Sequence, residues 1–267
     1  MDYNLEEQIT PKDFVSSKAK RGRNLWLEGF NTILGETIIG NNCLIGLGTV
    51  IGYPSRSKLV SLLENGKNEK SLSSTTQAPF DISKLDKISK GATIGNHCII
   101  RGRTWIYEEA TLGNNIETGH NVMIREGVKI GDKTKIGTHT VIDSTSSPEG
   151  KVDIGKEVSI QTGVYICYPS EIGNNVFIGP HVILTNDKYP PSKSMKGITL
   201  ENGVIIGANS TLIAGVTVGA DSMVAAASVV TKDIPKGWVA KGNPAKKYMT
   251  IEEYRKKQTE YEKAKTL

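Results

Sequence analysis

The chain has 267 residues, 37% of them apolar and 6% aromatic, with 28 glycines and a formal net charge of +5. That length supports a sizeable core. The mild, scattered charge excludes the dense basic footprint of a nucleic-acid binder while remaining compatible with phosphate-bearing ligands. Abundant glycine with few aromatics suits short strands and tight turns better than a helical bundle. The sequence MDYNLEEQIT lacks a basic start ahead of an apolar core. No apolar run approaches the roughly 20 residues that span a bilayer. A soluble, cytoplasmic protein without a membrane span is therefore expected. Cys43, Cys98 and Cys167 are odd in number and suggest neither a disulfide framework nor a zinc ligand set.

In chain order, residues 1–30 carry no repeat and read as a lead-in that caps the open end of a repetitive region. Lys18, Lys20, Arg21 and Arg23 read as its solvated face. From Ile33 an aliphatic residue returns every sixth position, at Ile39, Ile45 and Ile51. The beat stops at Tyr53-Pro54, and residues 53–87, rich in Ser, Lys and Asn, form an excursion. It resumes at Ile88 and Ile94 and runs to Ile142, with a small or β-branched residue four places after most aliphatics. Cys43 and Cys98 occupy that small inward place, which suits core packing. One position breaks the aliphatic rule, Thr118, which opens Thr118-Gly119-His120-Asn121 and marks the candidate reaction centre. After the intervening residues 143–153 the phase continues from Ile154 to Leu184. A second excursion, residues 185–204, contains Pro190-Pro191, which excludes regular strand. The beat restarts at Ile206 and ends after Val230. Thr250, followed by two acidic residues, signals the start of a short carboxy-terminal helix.

A period of six fits neither the 3.6 of an α-helix nor simple strand alternation. It is the signature of a parallel β-helix of hexapeptides, in which stacked coils bury an aliphatic column. An all-β chain is expected: a cap over 1–30, the β-helix over 31–248 with excursions at 53–87 and 185–204, and a helix over 249–267.

Over roughly residues 30–248 the chain resembles the hexapeptide-repeat acyltransferases, whose left-handed β-helix has three sides per coil and assembles as trimers. Three segments sharpen the resemblance. VVTKDIPKGWVAKGNPAKKY (229–248) is similar to the family's acetyl-coenzyme A signature. LTNDKYPP (184–191) resembles a loop of nucleotide-linked 3-amino-sugar N-acetyltransferases, and TGHNV (118–122) resembles the segment with the catalytic histidine in acyltransferases of lipid A synthesis. The resemblance implies acetyl-CoA as co-substrate, attack of a UDP- or dTDP-linked sugar amine on its thioester, and a homotrimer.

On this reading His120 is the base, since imidazole has an ordinary pKa of about 6.5, and Asn121 contacts or orients the substrate. Thr138, one coil later, supplies a backbone N–H to the developing oxyanion. His97, His139 and His181 occupy an outward turn position and read as solvated. His139 stands out because it stacks on Asn121 and, if the phase holds through 143–153, under Glu157, which makes it a pocket residue. Gly207, Ala208, Ala214 and Ala226 leave room for a pantetheine arm, although tight turns accept Gly and Ala anyway. Lys241 and Lys246, with Lys232, are placed for phosphates. Asn186 and Asp187 belong to a loop that folds over a neighbour's site and touches the sugar.

Two other classes fit the repeat: O-acetylation of a sugar or other small hydroxyl, and a non-catalytic β-helix scaffold, which would need neither GNPAK nor TGHN. A γ-class carbonic anhydrase needs two histidines five residues apart, and no such pair occurs.

Overall fold

The computed structural model describes residues 12–66, 81–145, 147 and 150–264. The first eleven residues of the lead-in, the middle of the first excursion and the last three residues lie outside the described residues. Each six-residue unit makes one strand, most of them two residues long, and then turns. Its aliphatic residue points inward, and the next residue is usually a glycine that must pass close to the coil above. Gly119 illustrates the constraint: a Cβ there would collide with the backbone nitrogen and hydroxyl of Thr138.

Three units complete a coil, and the coils stack into a left-handed parallel β-helix with three sheet faces. Face 1 holds ten strands from Phe14–Val15 to Val229–Val230, and face 2 holds nine from Lys20–Arg21 to Thr217–Val218. Face 3 holds eleven, the last of which, Lys246–Thr250, turns back antiparallel on Trp238–Lys241. The inward residues stack in register, for example Ile106 on Ile124 and Ile124 on Ile142. All three are fully buried, and each contributes about 1.5–3 kcal/mol of transfer free energy. Cys43 and Cys98 lie in adjacent coils of this core, both buried.

Four details differ from the sequence expectation. The first coil begins at Phe14, not Ile33: Val15, Arg21 and Leu27 stack under Ile33, Ile39 and Ile45. Arg21 in an inward register hid that coil, and it is half-buried rather than part of a solvated face. Ile88 ends a helix and is not a strand residue. The unbroken phase from Ile142 to Ile154 is accidental, because the step from face 1 to face 2 takes twelve residues there in place of six: Ile130 pairs with Ile154 and Ile136 with Ile160. Lastly, the second excursion is shorter than expected, because strand Thr199–Leu200 already re-enters face 2 on Ile172.

All these loops leave from the corner between faces 1 and 2. The first contains helices α1 (Arg56–Gly66) and α2 (Ile82–Ile88). Its base is clamped by Glu108, which is 1% exposed and accepts hydrogen bonds from the Lys58 ammonium (2.5 Å) and from the Ser55 and Lys90 amides (both 2.9 Å). Burial opposes ionisation of Glu108, but these donors outweigh it and hold the carboxyl below the usual carboxylate range.

The corner between faces 2 and 3 is closed by a side-chain ladder. Asn41 accepts from the Arg23 amide, Asn96 from Asn41, Asn114 from Asn96 and Asp132 from Asn114, all within 2.7–2.8 Å. At the carboxy end Thr250 and Glu253 form a reciprocal capping box that starts α3 (Ile251–Ala264). Among the described residues no helix is long and apolar enough to cross a membrane.

Candidate active site

The third corner, between faces 3 and 1, carries no excursion among the described residues. The Glu117–Thr118 strand ends there, residues 119–122 turn, and Met123–Ile124 begins face 1. Thr118 is 1% exposed, and its hydroxyl accepts the Arg101 amide at 2.9 Å. The break in the aliphatic column is thus a hydrogen bond between coils. Two residues on, His120 is exposed. Its amide donates to the Thr138 hydroxyl (3.3 Å), its carbonyl accepts the His139 amide (3.0 Å), and its ring reaches down over Gly102. Among the described residues neither imidazole nitrogen has a protein partner. Asn121 holds the left-handed turn position (φ 55°), which asparagine tolerates better than most residues.

The registers place Thr138 directly above His120, then Thr162, Pro180, Ala208 and Ala226, at about 4.8 Å per coil. Gly207 neighbours Ala208, and one coil beyond Ala226 stand Lys241 and its strand partner Lys246. Among the described residues the amides of Thr138, Thr162, Ala208 and Ala226 find no protein acceptor, unlike the laddered corner opposite. Buried amides normally find partners; these lie at or near the surface, turned to whatever occupies the corner. The track from His120 to the lysines spans roughly 25–30 Å. The Lys241 ammonium packs 3.2 Å from the centre of the Tyr248 ring.

The structure brings His120, Asn121, Thr138, His139, Gly207, Ala208, Ala226, Lys241 and Lys246 to this one corner and separates three other expected residues from it. Ala214 lies at the corner of faces 1 and 2, buried, with its amide bound to the Thr185 hydroxyl at 2.9 Å. Asn186 and Asp187 sit at that corner too. The Asn186 amide group donates to the Tyr168 carbonyl at 2.5 Å, and Asp187 accepts from the Ser192 amide (2.7 Å) and hydroxyl (2.8 Å). Hydrogen bonds, chiefly from the Ser192 amide, lower the Asp187 carboxyl below its ordinary value.

One stacking expectation fails. Because the coils are offset by 24 residues there, His139 lies under Gly163, and Glu157 bonds Lys133 at 2.9 Å instead. His181 leans over Gly163 from the coil above, whereas His97 belongs to the laddered corner. Arg101 and Arg103, on either side of Gly102 one coil below His120, went unnoticed in the sequence. Their signal was the Arg-Gly-Arg triplet at the turn position beneath the histidine.

Comparison with known proteins bears on the repeat and the fold. Residues 151–186 match the family described as bacterial transferase hexapeptide (six repeats), and residues 36–54 and 197–232 match the hexapeptide repeat of succinyl-transferase. A 2,3,4,5-tetrahydropyridine-2,6-dicarboxylate N-acetyltransferase of Staphylococcus aureus is 39% identical over 74 residues, which is 28% of this chain and 30% of that enzyme. The chain thus spans under a third of the length of the curated relatives it matches. Among solved structures, a UDP-N-acetylglucosamine acyltransferase of Francisella novicida aligns over 93% of this chain and 72% of its own, with 17% identity and a TM-score of 0.57. The enzyme of that name from Campylobacter jejuni aligns over 90% and 74%, with 19% identity and a TM-score of 0.55. Both share the fold.

Proposed function

We propose that this chain, built on the hexapeptide repeat of the bacterial transferases, moves an acetyl group from acetyl-CoA to the amino group of a nucleotide-linked amino sugar. One observation carries the reading: among the described residues, an imidazole with both nitrogens free stands at the foot of a row of unpartnered amides that ends at two lysines. The pantetheine arm of acetyl-CoA, an amide chain, pairs with that row. Gly207, Ala208 and Ala226 allow its close approach, and Lys241 and Lys246 receive the phosphates.

With the thioester beside Thr138, the sugar nitrogen attacks the carbonyl carbon and gives up a proton to His120. The C–N bond forms, and the oxygen's charge is met by the Thr138 amide. The C–S bond then breaks, and coenzyme A leaves as a thiolate that takes the proton back. Asn121 and His139 flank the acceptor. The staphylococcal relative, named for N-acetylation, supports nitrogen over oxygen as the nucleophile.

The acceptor loop at 185–198 is reached through a homotrimer. Face 1 lies between the loop-bearing corner and the His120 corner, and its outer surface is an apolar column. Within it Trp105, Tyr165 and Ile183 are each 37% exposed, and Met123 and Val141 lie between them. A trimer that turns face 1 toward its axis sets one subunit's loop-bearing corner, with Asn186 and Asp187, along the next subunit's His120 corner, some three coils above His120 itself. Light scattering should give three times the chain mass, and Val141→Glu with Trp105→Glu should reduce it to one. A wild-type monomer would rule this placement out.

The activity is tested by coenzyme A release over a panel of UDP- and dTDP-linked amino sugars. Turnover should require the free amine and vanish with the corresponding hydroxyl sugar. Release with the hydroxyl sugar alone would replace N- by O-acetylation.

A further inference from the structure

The track has a second end. Below His120 the corner holds Arg101, Gly102 and Arg103. Both arginines are exposed, and among the described residues no carboxylate lies within ion-pairing distance of either guanidinium. Two carboxylates on neighbouring coils are engaged elsewhere: Glu117 pairs with Lys135 at 3.4 Å, and Glu28, two coils down, accepts the Leu47 amide at 3.1 Å. In the coil beneath, the corner positions are Gly46, Leu47 and Gly48, all uncharged. Arg103 leans over Gly48, and the His120 ring lies over Gly102.

The result, among the described residues, is two guanidinium groups without a paired carboxylate on either side of a glycine floor, with an imidazole resting on that floor. Planar guanidinium forks bind phosphate and carboxylate oxygens in pairs. The other end of the same track already has its own cations, Lys241 and Lys246, seven coils away. One end therefore suits the donor's phosphates, and this end serves a different anion.

We infer that Arg101 and Arg103 clamp a dianionic group of the acceptor, which enters from the amino-terminal side of His120 while acetyl-CoA enters from the carboxy-terminal side. The inference rests on the proposed transferase reading for the acceptor's identity, but the clamp itself is a binding site and can be measured without turnover. A diphosphate link to a nucleoside fits it, and so does a dicarboxylate. The shared chemistry is two negative charges a few ångströms apart.

The test is calorimetric titration of the wild-type chain and of Arg101→Gln/Arg103→Gln with UDP, dTDP, inorganic pyrophosphate, pyridine-2,6-dicarboxylate and coenzyme A. Both arginines are exposed, so the double variant should fold normally, and circular dichroism checks that. The double substitution should weaken at least one of the acceptor-side anions about tenfold or more and leave coenzyme A affinity within twofold. The anion most affected identifies the source: UDP and dTDP for a nucleotide acceptor, pyridine-2,6-dicarboxylate for a dicarboxylate one. Where turnover is found, the acceptor KM should rise by a similar factor with kcat nearly unchanged. Equal anion affinities in both proteins would overturn the clamp, as would a loss confined to coenzyme A. Anion binding that needs the arginines, in a chain with no acetyl transfer, would keep the clamp and remove the transferase reading instead.

Discussion

Replacing His120 with Ala should lower kcat for acetyl transfer about 100- to 10,000-fold, the usual range for losing a positioned base, with small changes in both KM values. The expectation follows from isolation. Among the described residues no carboxylate orients the His120 ring, so its role is direct contact with the nucleophile. His139, one coil above and beside it, should matter much less. His139→Ala should cost under tenfold, and any loss should appear in the acceptor KM. Steady-state coenzyme A release with the best acceptor of the panel separates the two. Near-wild-type turnover by His120→Ala would mean that the amine arrives neutral and attacks without help.

The second large effect is on stability. Glu108→Ala should cost about 3 kcal/mol, since it removes the acceptor for an ammonium and two backbone amides in a site with little water. Lys58 is 29% exposed on its side chain and can partly rehydrate, which keeps the loss at that level. Glu108→Gln should cost less, because an amide oxygen still accepts. The pH dependence has a defined sign. The folded carboxyl titrates below the ordinary value of about 4.3, so its contribution is complete above that pH and fades as pH falls through the folded value. Thermal melts from pH 7 down to 3 should show wild type and Glu108→Ala converging in acid. Parallel curves would refute the clamp.

How much was legible in the sequence varied with the physical origin of each feature. The stacked aliphatics, the tight glycine turns and the capping box at Thr250 are local and repetitive, so a period of six exposed the coil architecture and the helix start. Arg21 in an inward register concealed the first coil. The insertion between Ile142 and Val152 stayed hidden because it lengthens a coil by one repeat, leaving the phase intact while moving Glu157 away from His139. The corner of each residue depends on counting coils, and such an error propagates. That is why Ala214 was assigned to the wrong wall; the Arg101–Gly102–Arg103 floor, by contrast, lies a regular 18 residues before His120 and was legible. Nothing in the residue types marks the row of unpartnered amides, since its content is which backbone groups lack partners.

The corner between faces 3 and 1 is, on this proposal, the acyl-transfer track, and a crystal structure of the chain with coenzyme A tests that most directly. The pantetheine arm should lie along Thr138, Ala208 and Ala226, with the sulfur near His120 and the phosphates at Lys241 and Lys246. Coenzyme A ordered on face 2, or at the corner that bears the excursions, would contradict it.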